Sequence, residues 1–231
     1  MRFPTIQLVG LMGFQAVFGH PAPANKLHND LGKRSAAAFA SGNALVQRGI
    51  KGELYKMEIT VGDKIATGTD GTVYKATVPD SPGFDSSTTF AYKTDYANPA
   101  SVKTEYAAYK AIDGQKIGPG FEAIVYDEES ENVDESGVLL EYWDTTPTDK
   151  SSKDHAKGAM KALKAMHDIG WVHGDAWSVN NVLVGKSDGQ VRLVDFAKSE
   201  KTNDARKMEE DIDALKSAFD GVEWDGDEVK E

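Results

Sequence analysis

From Leu54 the apolar residues gather into short β-rich runs, Tyr55–Ile65, Val73–Val78 and Phe90–Lys93, punctuated by Gly, Asp, Ser and Pro. Pro79–Thr89 reads as a solvated hairpin loop. Asn98-Pro99 then opens a helix, with Asn as cap and Pro at the first helical position. Its apolar residues, Val102, Tyr106, Tyr109 and Ile112, keep a helical spacing. Two more strands are predicted at Phe121–Tyr126 and Val138–Tyr142, and the acidic run Asp127–Glu135 between them reads as a solvated loop tip. Beyond Tyr142 the pattern turns helical. Ser151, with Asp154 three residues on, is a capping-type start. Ala156, Ala159, Met160, Leu163 and His167 follow on one face. Val182–Val184 and Val191–Val194 pair around a turn containing Asp188-Gly189. A last helix is predicted over Asn203–Phe219, with Met208, Ile212, Leu215 and Phe219 as its stripe. The acidic tail from Asp220 is expected to fray. No internal repeat is found. The chain is therefore of α+β class. A β-rich half with one helix (about 54–142) precedes a smaller helical half (about 149–220) and a tail over 221–231, with the join near Tyr142–Thr148.

The segment ahead of Leu54 obeys different rules. Met1-Arg2 supplies one positive charge, Ile6–Phe18 is mostly apolar, and Ala22-Pro23-Ala24 is a small-x-small site. That is the layout of a secretory signal peptide over 1–24, with an apolar stretch too short to span a membrane. A buried first helix is the alternative. Asn25–Arg34 then reads as a propeptide ending in the dibasic pair Lys33-Arg34, which is also readable as a solvated pair. Ala36–Gly49 is a short helix or a loose leader. The mature domain would start at Ser35, its product would be secreted or held in the secretory pathway as in a fungal chain, and no membrane anchor would remain.

Composition narrows the partners. The 231 residues carry 26 Lys and Arg against 37 Asp and Glu, a formal charge of −11, and removal of Arg2, Lys26, Lys33 and Arg34 with Asp30 makes the remainder more acidic. No cationic excess is available to neutralise phosphates, so nucleic acid and anionic membranes are not expected partners. The absence of cysteine excludes disulfides, thiolate catalysis and cysteine-based zinc sites.

Three stretches carry candidate chemistry. Ala66-Thr67-Gly68-Thr69-Asp70-Gly71-Thr72-Val73 lies between two predicted strands, where glycines let a hairpin backbone approach an anion. A plain tight turn fits it too, and no Gly-Lys-Ser/Thr follows that would make it a Walker loop. Ala91-Tyr92-Lys93 ends the next strand. A lysine on an inner face is costly unless paired, and Glu105 lies on the face of the following helix marked by Val102 and Tyr109. A surface lysine and a surface glutamate are the plainer alternative. The third stretch, His173-Gly174-Asp175-Ala176-Trp177-Ser178-Val179-Asn180-Asn181-Val182-Leu183-Val184, places an Asp and an Asn five residues apart ahead of an apolar strand, and Val194-Asp195-Phe196-Ala197 ends the paired strand. Asp175, Asn180 and Asp195 are thereby delivered to one neighbourhood, and their oxygens suit a hard cation such as Mg²⁺.

In this order the motifs resemble the protein-kinase-like superfamily: glycine loop, Ala-x-Lys strand, helix Glu, Leu139-Leu140-Glu141-Tyr142 as hinge, His-x-Asp with Asn at plus five, then Asp-Phe-x. The resemblance implies a bilobal fold with a β-rich N-lobe and a truncated, mainly helical C-lobe. It implies that Ala66, Gly68, Gly71 and Val73 cover the phosphates of ATP, and that Ala91, Glu141 and Tyr142 meet the nucleotide. Lys93, oriented by Glu105, would hold the α and β phosphates. Asn180 and Asp195 would bind Mg²⁺ or Mn²⁺, and Asp175 would accept the proton of the attacking hydroxyl. His173 would be structural, packing beneath Asp195. Ala66 stands where the first glycine would be and Ala197 where the last would be. Gly174 replaces the arginine that pairs with a phosphorylated activation loop, and Trp177 stands where many Ser/Thr kinases carry lysine. Such features are similar to compact atypical members of RIO, Bud32, lipopolysaccharide-kinase and aminoglycoside-phosphotransferase type. The implied activity is ATP-dependent transfer of a phosphoryl group to a hydroxyl, with a protein or peptide acceptor favoured by a monomeric enzyme. A small-molecule kinase and a secreted pseudokinase binding module are the alternatives.

Overall fold

The computed structural model describes residues 6–9, 56–80, 84–127 and 137–230. The apolar leader apart from Ile6–Val9, Lys33-Arg34, the Ala36–Gly49 segment and the acidic run after Asp127 lie outside the described residues. The elements, in order, are β1 (Ile6–Val9), β2 (Lys56–Thr67), β3 (Thr72–Thr77), β4 (Phe90–Thr94), α1 (Ala100–Ile112), β5 (Phe121–Asp127), β6 (Gly137–Glu141), β7 (Thr145–Thr146), α2 (Lys153–Asp168), β8 (Trp171–Val172), β9 (Val182–Gly185), β10 (Val191–Leu193), β11 (Glu200–Lys201), α3 (Ala205–Ala218), β12 (Trp224–Asp225) and β13 (Glu228–Val229). All the strand pairings among the described residues are antiparallel. The mixed α+β class of the sequence reading holds.

The first six strands close a barrel in the order β1-β2-β3-β4-β6-β5. Strand pleating divides β6 between two cores: Leu139 points into the barrel with Ile59, Ala76, Phe90 and Val125, while Val138 and Leu140 join the core built on the helices. Lys93 on β4 pairs with Val138 on one side and Val73 on the other. Cross-strand neighbours share a face, so Lys93 leaves the barrel on the side covered by α1.

Helix α1 begins where the Asn-Pro pair predicts. Asn98 Oδ1 accepts from the Ala100 amide at 3.1 Å, and Pro99 already has helical angles. Its buried face is Val102, Glu105, Ala108, Tyr109 and Ile112, with Tyr106 half-buried against Phe121. Helix α2 starts one residue later than Ser151-x-x-Asp154 suggests. Asp149 Oδ1 takes both the Ser151 amide and its hydroxyl, at 2.8 and 2.7 Å, and Ser152 becomes the cap of His155. Helix α3 is capped by Asp204 and buries Asp211, Leu215 and Ala218, where the predicted stripe contained no acid.

The tail does not fray. Val222 and Val229 are buried, and Trp224-Asp225 pairs with Glu228-Val229 around the two-residue turn Gly226-Asp227. Lys216 holds Asp227 at 2.8 Å. The apolar residues Val222, Trp224 and Val229 overrule the acidic composition, because they find a core beside α2 and α3. The join between the halves is also fixed. Thr148 donates to the Val182 carbonyl at 2.5 Å, and Arg192 stacks 3.6 Å above the Trp143 ring while bonding Glu141 at 2.6 Å.

Phe196 ties α1 to the loops that follow β8 and β10. It is fully buried, edge-on to Tyr109 at 4.8 Å and against His173 at 5.1 Å. Phe196→Ala should lower the unfolding free energy by about 3–5 kcal/mol, and Phe196→Leu by less than half of that, measured by urea denaturation.

Candidate active site

Lys93 is the centre of the site. It is 6% exposed, on a strand in the middle of the barrel wall, and Glu105 beneath it is wholly buried. Its Nζ lies 3.0 Å from Glu105 Oε1, 2.7 Å from Oε2 and 2.6 Å from Asp195 Oδ1. The Tyr96 ring lies 5.2 Å from the same ammonium. Burial pulls the Lys93 pKa down, but the two carboxylates outweigh it and the net shift is upward. Burial pushes the Glu105 carboxyl up, opposed by Lys93.

Asp195 reaches Lys93 from the strand end after β10. Its backbone is left-handed, at φ 66° and ψ 64°, an uncommon conformation for a residue with a side chain. It is held there by the Val194 amide bonding the Asn181 carbonyl at 2.9 Å and by buried Phe196 on the other side. His173 bridges the same two loops. Its Nε2 meets the Val194 carbonyl at 3.1 Å, and its Nδ1 accepts from the Asp175 amide at 3.3 Å. The neutral ring with its proton on Nε2 satisfies both contacts, in line with the structural role expected of it.

Asp175 is 7% exposed. Its Oδ2 receives Lys198 at 3.0 Å and the Asn181 amide group at 3.4 Å, while its Oδ1 has no hydrogen-bond partner among the described residues. Asp70, on the β2–β3 turn, joins Asp175 and Asp195, and oxygens of the three lie within 4.8 Å of one another. Three converging carboxylates with an unsatisfied buried oxygen fit a divalent cation. The turn itself is closed by the Gly68 amide bonding the Gly71 carbonyl at 2.9 Å, and Val73 follows in β3 beside Lys93. Ala66 pairs with Val73 in the hairpin. At Gly71, φ is +153° and a side chain would begin 2.9 Å from the Thr94 carbonyl, so the turn lies close over β4 only with glycine there.

The two asparagines part company. Asn180 is exposed, and its backbone N–H donates to Ser178 Oγ at 3.3 Å. Asn181 is buried, and its side-chain nitrogen donates to the Asp175 carbonyl at 2.9 Å. The plus-five spacing picks Asn180, whereas the short helical turn at Val179–Asn181 directs the next residue inward. At the hinge, Ala91 packs beside the helical core, the Tyr142 ring lies 5.2 Å from Lys75 Nζ, and the Glu141 N–H is committed to the Gly120 carbonyl at 2.9 Å. That amide is therefore not open to an adenine.

Asp211 is a further participant that sequence reasoning missed. From α3 it accepts the His173 and Gly174 amides and meets His167 Nε2 at 3.2 Å. Burial would raise its pKa, but these bonds from His167, His173 and Gly174 prevail and hold it low. Gly174 itself sits at φ +76°, and a side chain there would begin 2.2 Å from the Lys198 carbonyl. His-Gly-Asp in place of His-Arg-Asp is thus dictated sterically.

The model of the lipopolysaccharide kinase (Kdo/WaaP) family matches residues 99–231. The chain belongs to this family. Membership places it in the protein-kinase-like superfamily and supports kinase and transferase activity. Of the four atypical types that the motifs resemble, it selects the lipopolysaccharide type. No curated protein matches the chain. The matched range holds Glu105, Asp175, both asparagines and Asp195, while the glycine turn and Lys93 precede it. The Lys93 ion pairs join the two parts.

Two outcomes follow. Lys93→Met leaves Glu105 buried without a counter-ion and should lower the unfolding free energy by about 3–5 kcal/mol, most of which Glu105→Leu in the same chain should restore, as read from urea midpoints. Burial keeps the His173 imidazole below its usual pKa, against the pull of Asp211, Asp175 and Asp195. The unfolded chain protonates this histidine near pH 6.5 while the folded one resists, so stability is full above that pH and falls below it by up to about 1.4 kcal/mol per unit. The depressed Asp211 acts in the same direction at lower pH. Denaturation at about pH 7, 6 and 5 should show the decline, and His173→Gln should flatten it.

Proposed function

We propose that the protein transfers the γ-phosphoryl group of ATP to a hydroxyl of a sugar-containing acceptor. The observation that carries this reading is the buried Lys93 ammonium clamped between Glu105 and Asp195, with Asp175 facing the same cluster. The barrel and the helical half are taken as the two lobes around the nucleotide, joined through Tyr142–Thr148. Lys93 holds the α and β phosphates, and the Ala66–Val73 turn covers them. Asp195 and Asp70, with the amide oxygen of Asn181 in the place first given to Asn180, would hold Mg²⁺ or Mn²⁺. The ion supplies charge neutralisation at the transferring phosphate. Asp175 orients the acceptor hydroxyl. The acceptor oxygen bonds to the γ-phosphorus as the bridging bond to the β-phosphate breaks, the hydroxyl proton passes to Asp175, and ADP leaves with the electron pair.

The family's description favours a sugar over the protein or peptide acceptor that the sequence suggests. Trp177 supports the sugar: it is 63% exposed two residues after Asp175, and an exposed aromatic face suits the apolar face of a sugar ring. A leader ending near Ala24 or Arg34 would place the reaction in the secretory pathway. β1 lies inside that leader and closes the barrel against β2 and β5, so the mass of the purified protein decides between a removed leader and a structural strand.

Radiolabelled Mg-ATP offered with lipopolysaccharide, oligosaccharides and a peptide library should label the sugars. Asp175→Asn should lower kcat by about 10²–10⁴-fold with the urea midpoint kept. An unlabelled panel with the parent protein, or equal transfer by Asp175→Asn, would overturn the reading.

A further inference from the structure

Lys198 sits in the candidate site without a role in the chemistry set out above. It ends the short helical turn Phe196–Lys198, three residues after Asp195. Its backbone is fixed: the Ser199 amide bonds the Phe196 carbonyl at 3.0 Å, the Ser199 hydroxyl bonds the His173 carbonyl at 3.0 Å, and Gly174 is packed against the Lys198 carbonyl. Its side chain, in contrast, is half exposed. The ammonium lies 3.0 Å from Asp175 Oδ2 and 3.8 Å from Asp70 Oδ2. A lysine beside two carboxylates carries its charge at neutral pH.

This placement has two consequences. An ammonium on Asp175 Oδ2 occupies one of the two oxygens that could take the proton of an acceptor hydroxyl, the other being buried. The same ammonium spans the gap between the glycine turn and Asp175, where the terminal phosphate of a nucleotide held by Lys93 would arrive. A phosphate tail carries more negative charge than either carboxylate and competes for the cation. A fixed main chain with a long, half-exposed side chain lets the ammonium move without moving the fold.

We propose that Lys198 is a second phosphate-binding cation that leaves Asp175 and Asp70 for the γ-phosphoryl group when ATP enters. The move uncovers Asp175 for the acceptor and adds positive charge to the group being transferred. The proposal rests on the phosphotransfer reading above, and it separates ATP from ADP, because only ATP carries the group that Lys198 would meet.

The test compares Mg-ADP with Mg-AMP-PNP, a non-hydrolysable analogue, by calorimetry on the parent, Lys198→Met and Lys198→Arg. A charge-assisted bond to the γ-phosphate predicts that Lys198→Met weakens the analogue by about ten- to a hundredfold. Mg-ADP binding should change by less than about threefold, and Lys198→Arg should recover most of the loss. In turnover, kcat should fall by about a hundredfold in Lys198→Met. Equal weakening of both nucleotides, or unchanged binding of both with kcat kept, overturns the role of Lys198 while the parent's transfer stands. A parent that binds neither nucleotide and labels no acceptor overturns the underlying reading instead. Should Lys198→Met fail to fold, Lys198→Gln reads the same ratio.

Discussion

Everything in the site is referred to one buried ammonium. Lys93 leaves the barrel toward α1 because β4 lies between β3 and β6, and because pleating puts it on the face of Val138. Taking that charge out of water costs several kcal/mol. Glu105 offsets it from α1, and Asp195 offsets it from a strand end about a hundred residues further along the chain. The ion pair is therefore a distance constraint. It sets how closely the barrel, α1 and the β9–β10 hairpin approach, and it leaves Asp195 with one oxygen turned to Lys93 and the carboxylate as a whole among Asp70 and Asp175.

The surrounding polar groups serve this constraint by fixing backbone rather than by adding charge. Asp211 satisfies two amides of the His-Gly-Asp loop, His173 joins that loop to the residue before Asp195, and Asn181 joins it to the short helical turn that follows by holding the Asp175 carbonyl. Each is buried, and each uses its hydrogen-bonding groups on main chain where an unsatisfied amide or carbonyl would be expensive. Phe196 fills the space behind them. The left-handed conformation of Asp195 persists because its neighbours on both sides are pinned.

Much of this was legible in the sequence, and the reasons differ by residue. Lys93, Glu105, Asp175 and Asp195 stand in motifs whose order survives without any knowledge of contacts, and α1 and the β9–β10 hairpin announce themselves through a cap, a stripe and an Asp-Gly turn. The errors are of three kinds. Ser152 for Ser151, and Asn181 beside Asp175 in place of Asn180, are displacements by one residue. A local turn, Asp149 holding Ser151 or the helical turn at Val179, rotated the chain beyond what spacing reveals. Asp70, Lys198 and Asp211 were missed because they act across the fold, and a lone charged residue in a turn or on a helix looks like any solvated one. The tail was misread from charge alone, although Val222, Trp224 and Val229 around Gly226-Asp227 carry a hairpin pattern.

Gly174 has a bearing on control. A side chain at that position would collide with the main chain of Lys198, so the guanidinium that elsewhere receives a phosphorylated loop has no room here. Switching by covalent marking of a loop would need another receptor. In the proposed reading, nucleotide and acceptor would have to part Lys93 and Lys198 from the carboxylates they now hold before transfer.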